Sequence, residues 1–340
     1  MDFVVWVGCA TFVPMLRYIG KRLLNYVVLL YVAVSLTWVL AATQLNPRGL
    51  FALRQPPVPE ATIDAQLSLY NLNDKVPLAQ RYWNWLVGVL HGNWGYSPLG
   101  VSVNDEIGAR MWVSLRLLLI GTIVGIVVGV AAGAWTATRQ YRVSDRTITF
   151  LSLLIISTPA FVIGHIAQIS ATWFNNTTGT RFFEFIGETG EVGNYPLAWL
   201  VDRAQHLLLP TIVLIVIGAA SMSRIQRNLM LDSLGADYVR TARAKGLSRR
   251  KAVMKHALRT ALIPTGTYVA FSVATMFVGA TYTERIFNFP GIGQYSIDTI
   301  TYRDVNGVVA VTAFAGVCVL VGAVLSDILV AILDPRVRLQ

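Results

Sequence analysis

Six stretches of this chain carry almost no charge, and each is close to the length that crosses a bilayer as a helix, about 20 apolar residues. They are 23–47, apolar to about Thr43; 117–138; a run within 147–180 whose apolar core is 148–173; 206–222; 260–283; and 305–333, interrupted only by Asp327. Polar segments of very unequal length separate them. The pattern predicts an all-α polytopic membrane protein with six transmembrane helices. It divides the chain into an N-terminal segment 1–22, a first span 23–43, a polar segment 44–110, a core of five further spans over 111–333 and a tail 334–340. Within that core, 223–260 is a long polar loop.

The segment after the first span has its own periodicity. Pro47, Pro56, Pro57 and Pro59 make an irregular entry. Residues 60–71 then place Ile63, Leu67 and Tyr70 on one helical face. A second amphipathic stretch, 79–90, carries Tyr82, Trp83, Trp85, Leu86 and Leu90. Two helices of this kind suit a small cap packed on the spans, a membrane interface or a docked partner. The first fourteen residues are apolar but too short to span, and they lack the basic start of a secretory signal. They read as an interfacial stub, or as the product of a start codon upstream of the natural one.

Composition agrees with a membrane protein. Hydrophobic residues make up 54% of the 340 and charged residues 14%, against the roughly 25% charged expected of soluble domains. The net charge of +10 changes the picture only once it is placed. Arg17, Lys21 and Arg22 precede the first span, and Arg139, Arg142 and Arg146 fill the second-to-third loop. Ten basic residues lie in 223–259, and Arg336 and Arg338 close the chain. All four segments fall on one side of a six-span protein, so that side is cytoplasmic, with both termini on it. The segments 44–110, 174–205 and 284–304 then face outward. The excess is a topology signal, and the six spans exclude a nucleic-acid binder. Cys9 and Cys318 sit far apart in apolar segments and form neither a disulfide framework nor a metal motif.

Some positions within the spans stand out. Gly121, Gly125, Gly129 and Gly133 recur every four residues, which puts all four on one helix face and invites another backbone close. Ser157, Thr158, Pro159 and Phe161 interrupt the third span. The proline frees a carbonyl and kinks the helix, and the hydroxyls are placed either to satisfy that backbone or to line a pathway. His165 has no second ligand in view and reads as a hydrogen-bonded packing residue. Asp327 is the only acid in a span and lies near its cytoplasmic end. Arg116 can snorkel from the outer end of the second span. The four histidines, at 91, 165, 206 and 256, are scattered. No metal site and no catalytic cluster is expected.

The loop 223–259 predicts two short helices broken at a glycine. The first runs near 234–245 with Gly246 after it. Ser248 caps a second that starts at Arg249 and runs to about Leu262, and Pro264 suits the first turn of the fifth span. Tyr238, Val239, Ala242 and Leu247 offer a compact apolar knob under a basic surface. Such an elbow can transmit force from a soluble partner; the alternative is a solvated loop whose charge only sets topology.

The stretch ADYVRTARAKGLSRRKAVMKHALRTALIP at 236–264 resembles the cytoplasmic signature of ABC-transporter inner-membrane permeases, and within them the B-type subunit of the dipeptide/oligopeptide branch. The matching positions are Asp237, Tyr238, Thr241, Ala242, Ala244, Lys245 and Gly246, ending at Ile263-Pro264. The usual Glu-Ala-Ala is replaced by a Tyr-Val-Arg-Thr-Ala-Arg-Ala form typical of the peptide branch. Glu284, Phe287, Pro290, Gly291, Gly293 and Asp304 resemble the family's stretch after its fifth span. Ser157-x-Pro159-x-Phe161 resembles its third-span pattern, and Asp327 through Leu333-Asp334-Pro335-Arg336 its ending. The similarity covers about 15–340.

The resemblance implies a type I ABC importer permease fold in the plasma (inner) membrane. It implies docking on ATPases through Asp237, Tyr238, Val239, Arg240, Thr241, Ala242, Arg243, Ala244, Lys245, Gly246 and Leu247. It also implies partners: a second homologous permease, two ATPase subunits or domains, an extracytoplasmic substrate-binding protein and membrane lipid, with a peptide as substrate. The chain carries no Walker A pattern, so ATP and magnesium are expected on the partners, no cofactor on this chain, and no enzyme activity of its own. Nickel, glutathione or another small solute is an alternative cargo. An ion-coupled carrier should show several intramembrane acids and repeats, and a membrane enzyme should show clustered titratable residues.

Overall fold

The computed structural model describes the backbone of residues 3–52, 54–190 and 196–333, and side chains within those ranges except at 3–19, 21, 270–271, 273–275, 277–279 and 326–333. Among the described residues every regular element is helical, apart from one isolated bridge between Tyr96 and Ser102. Backbone groups in hydrocarbon must bond within their own segment, and the apolar runs accordingly become long helices. These are α1 (Phe3–Gln44), α4 (Val103–Ala137), α7 (Ala198–Gly235), α10 (Leu258–Gly279) and α13 (Val305–Leu333). Between them lie α2 (Glu60–Leu69), α3 (Leu78–Leu90), α5 (Val143–Ser157), α6 (Ala160–Thr178), α8 (Asp237–Ala244), α9 (Arg249–Ala252), α11 (Thr281–Ile286) and α12 (Ile292–Thr301).

Arg22–Gln44, Val103–Ala137, Ala198–Gly235 and Val305–Leu325 are each long and apolar enough to cross a membrane. α5 and α6 pass the same test only together, as a pair bent by 108°. The expected third span is therefore not a kinked helix but a broken one. Pro159 cannot donate to the helix ladder and holds its predecessor extended: Thr158 has ψ 127 and Pro159 ψ 139, so both leave the helical region. The expected fourth span is a 38-residue helix, with Pro210 inside it, and it outruns 206–222 at both ends. The expected fifth span, 260–283, begins within α10 and runs past its end at Gly279 into α11. The Asp327 and Cys9 side chains, and the Asp334–Arg336 tail, lie outside the described residues.

The chain forms two compact units. One comprises 16–115 and 290–320. Its core is built as the two amphipathic stretches predict. Ile63 and Leu67 of α2 and Trp85 of α3 are buried together with Val34, Trp38 and Ala41 of α1 and Val305 and Val309 of α13. Trp38 stacks edge-on against Tyr82, ring centroids 5.4 Å apart, and the Tyr82 hydroxyl meets Ser35 at 2.8 Å. Trp83 and Leu90 remain exposed. Arg48 ties the segment together by binding Asp64 at 2.5 Å and Asp74 at 2.7 Å, with Lys75 on the second Asp64 oxygen at 2.6 Å. Lys75 and Arg48 hold the Asp64 carboxyl below the usual carboxylate range, and Arg48 does the same for Asp74.

The other unit comprises 1–15, 116–289 and 321–340. Here the glycine ladder of α4 meets α7. A Cβ at Gly121 would stand 2.8 Å from Cβ of Leu214, one at Gly125 would stand 3.3 Å from the Ile215 carbonyl, and one at Gly129 2.8 Å from the Ala219 carbonyl. At Gly133 it would run into the Ser223 carbonyl and stand 2.9 Å from the Arg227 nitrogen. The ladder is a contact within the chain, and the atoms it approaches are largely backbone.

Candidate functional site

α7 continues without a break to Gly235, and α8 begins two residues later. The first loop helix is thus shorter than 234–245, because Leu234 and Gly235 belong to the long helix. Val239 and Ala242 are the buried positions of α8. They pack with Met230 of α7, with Ala252, Val253, Ala257 and Ala261 beyond the turn, and with Ala137 at the end of α4. Leu247 packs on the same cluster, but Tyr238 does not join it and is 42% exposed. The expected knob is therefore Val239, Ala242 and Leu247, with Tyr238 exposed at its edge.

α8 ends in a Schellman motif. The Leu247 amide donates to the Ala242 carbonyl at 3.2 Å and the Gly246 amide to Arg243 at 3.0 Å. This places Gly246 at φ +88, a left-handed conformation that glycine adopts without steric cost. The Ser248 hydroxyl accepts from the Lys251 amide at 3.5 Å and starts α9. No helix end follows near Leu262. α9 passes through a π turn, Val253–Ala257, straight into α10, and Pro264 lies inside α10 rather than in its first turn. The exposed residues of the elbow are Asp237, Tyr238, Arg240, Thr241, Arg243, Ala244, Lys245 and Gly246. The ion pair of Arg240 with Asp237 spans 3.9 Å between side chains exposed by 75% and 97%, so solvent screens it almost fully. A rigid, cation-rich face with an aromatic on it is thus mounted on two long helices.

The other predicted positions are distributed. At the break, the Thr158 amide donates at 3.2 Å to the Ile155 carbonyl, which Pro159 cannot serve, and the Thr158 hydroxyl donates to the Leu154 carbonyl at 2.7 Å. Ser157 and Pro159 are exposed, and Phe161 is 49% exposed. His165 is exposed and contacts the Gln168 carboxamide at 3.1 Å. Glu284 and Phe287 are buried, and Phe287 packs with Ala171, Leu209 and Val213. In the first-described unit, Gly291 precedes α12, whose Ile292 amide donates to the Ser114 hydroxyl at 2.8 Å. Gly291 and Gly293 are buried and Pro290 is partly buried. Asp304 caps α13 by accepting from the Gly307 amide at 2.9 Å. It is 2% exposed, and burial pushes its carboxyl up to about 6. These motif residues hold turns and helix starts together.

One grouping escapes the sequence reading. Glu184, Asp202 and His206 each bring a ligand atom within 4.8 Å of the others, beside a cavity of about 600 Å³ lined by residues of α6 and the 179–186 segment. Asp202 and His206 are four apart on α7, a spacing that puts both on one face. Glu184 arrives from a loop 18 residues upstream, so only the fold unites them.

Residues 125–339 match the family described as binding-protein-dependent transport system inner membrane component. The chain is 46% identical over 330 residues to the oligopeptide transport system permease protein OppB of Mycobacterium tuberculosis (strain ATCC 25618 / H37Rv), covering 96% of this chain and 100% of that one. It is 32% identical over 335 residues to the oligopeptide transport system permease protein AppB of Bacillus subtilis (strain 168), covering 95% and 100%. It is also 32% identical over 281 residues to the dipeptide transport system permease protein DppB of Escherichia coli (strain K12), covering 77% and 81%.

Proposed function

The chain belongs to the binding-protein-dependent transport system inner membrane components, and from that membership we propose that it is the permease subunit of an ATP-driven importer of oligopeptides. It is a multi-pass membrane protein and not an enzyme. The observation that carries the substrate class is the end-to-end match to an oligopeptide permease, 46% identical over the whole of that relative.

In this reading six spans cross the membrane, both termini are cytoplasmic, and α8 is the docking knob. ATP and magnesium bind two partner ATPases, whose surfaces close on Tyr238, Arg240, Arg243 and Lys245. Support comes from the local geometry: the apolar side of α8 is buried against α7 and the α9–α10 rod, so a push on the basic face moves both rods together. A second permease completes the pathway, the break at Ser157–Pro159 contributes to its wall, and a binding protein delivers peptide to the outward segments. Switching between two rigid arrangements then moves the substrate.

The deciding experiment is competition uptake in cells that depend on this permease, with di- to pentapeptides, glutathione and nickel offered against a labelled peptide. Peptides alone should compete. Competition by nickel or glutathione, with peptides inert, would replace the substrate class and leave the family intact.

A further inference from the structure

The geometry points to a divalent transition-metal site formed by Glu184, Asp202 and His206. A backbone carbonyl can only accept a hydrogen bond. The 2.9 Å contact between His206 Nδ1 and the Asp202 carbonyl, with Asp202 Oδ1 3.4 Å from the same nitrogen, therefore places a proton on Nδ1. In the neutral ring this leaves the Nε2 lone pair facing Oε2 of Glu184, 3.7 Å away. That separation is too long for a hydrogen bond. It is close to the spacing of two ligands on one ion: atoms about 2.1 Å from a tetrahedral zinc stand roughly 3.4 Å apart. The His206 side chain is only 4% exposed and meets the adjoining cavity. Its hydrogen bond through the other ring nitrogen to a carbonyl is the arrangement that orients metal-bound imidazoles.

Charge points the same way. The Asp202 side chain is 6% exposed. It accepts two bonds from the Gly190 amide, at 3.0 and 3.2 Å, and has no lysine or arginine partner among the described residues. The nearby cations are used elsewhere: Arg116 pairs with Glu188, and Arg203 stands 4.0 Å from the same carboxylate. Two carboxylates converging on one imidazole, one of them buried, concentrate negative charge where water is scarce, which is costly. A dication cancels it. One imidazole and two carboxylates suit zinc or a similar borderline ion, and the adjoining cavity has room for water to complete its shell. Such an ion would staple the 184–190 segment to the first turns of α7. This inference rests on the cluster alone and stands apart from the transport reading.

The test uses the full-length chain, purified, stripped with chelator and dialysed against Zn2+ alone. One zinc per chain is expected, with affinity reduced at least tenfold in Glu184→Gln and in His206→Gln. Glu184 sits at the rim of the cluster, 30% exposed, so its variant should fold even if the buried histidine variant does not. Zinc should raise the unfolding temperature of the wild type and leave that of Glu184→Gln unmoved. Co2+ should give visible d–d bands in the wild type only. Absence of stoichiometric zinc, or equal zinc binding by wild type and Glu184→Gln, would overturn the assignment.

Discussion

Arg227 grips Asp145 with both arms of its guanidinium, Nε to Oδ1 at 2.7 Å and Nη2 to Oδ2 at 2.9 Å. The pair joins α7 to the first turn of α5. The same carboxylate accepts from the amide of Tyr141 at 2.9 Å, a residue held at φ 66. Asp145 is 2% exposed, so its removal strands a guanidinium and frees a strained turn. Asp145→Ala should cost about 3 kcal/mol, the scale of breaking a buried pair. Arg227→Lys should cost less, since it keeps the charge and loses only the fork. Thermal unfolding in detergent checks both; an unchanged midpoint for Asp145→Ala would show that the clamp is idle.

The ladder gives a graded series. Gly133→Ala and Gly129→Ala should each destabilise by roughly 1–3 kcal/mol, the usual cost of overpacking, because the obstructing atoms include main chain and cannot rotate away. Gly108→Ala, in the same helix with nothing within 4 Å of its added carbon, should be neutral or slightly stabilising. Comparable losses at all three positions would reduce the ladder to a composition effect.

Coupling separates from folding at α8. Replacing Arg240, Arg243 and Lys245 together by Glu should abolish ATP-driven uptake while membrane insertion and unfolding temperature hold, because all three side chains are exposed. A Cβ at Gly246 meets no neighbour within 4 Å, so the penalty of Gly246→Ala comes from the positive φ. It should lower both stability and uptake. Uptake at wild-type rates in the triple variant would remove α8 from the docking role.

Asp304 sets a pH dependence. Its folded-state carboxyl titrates near 6, above the value of about 4 in an unfolded chain. The native state therefore holds the proton more tightly, and stability falls as pH rises from about 4 through 6. Asp64 and Asp74 have the opposite sign: their carboxyls are held low, so their contribution is present above about pH 4 and is lost below it. Asp304→Asn keeps a capping oxygen and should flatten the fall between about pH 4 and 6 in a thermal-shift series. An unaltered slope would assign it to another group.

Hydropathy located the long helices because it counts carbon, and carbon content decides what enters lipid. It did not report direction. Nothing in 148–173 distinguishes a modest kink at Pro159 from a 108° break, since that depends on two extended residues. The elbow was legible through its own local chemistry, glycine after α8 and serine before α9. The π turn that fuses α9 to α10 has no comparable signal, and Pro264 was accordingly placed at a helix start rather than inside one. The Glu184–Asp202–His206 cluster shows a further limit: hydropathy starts the fourth span at 206 and so separates Asp202 from His206, while Glu184 depends on how a loop returns.

The ladder also constrains motion. Its four glycines are spread over 12 residues, about 18 Å of helix, and each faces a different part of α7. Sliding one helix along the other by a single residue would set side chains of α4 where only a hydrogen fits now. The seam is toothed, so α4 and α7 move as one beam. Freedom in this unit must then be sought where the hydrogen-bond ladder is already cut, at Thr158–Pro159. A spin-label pair across that break should report the distance changes of a transport cycle, and a pair across the seam should stay still.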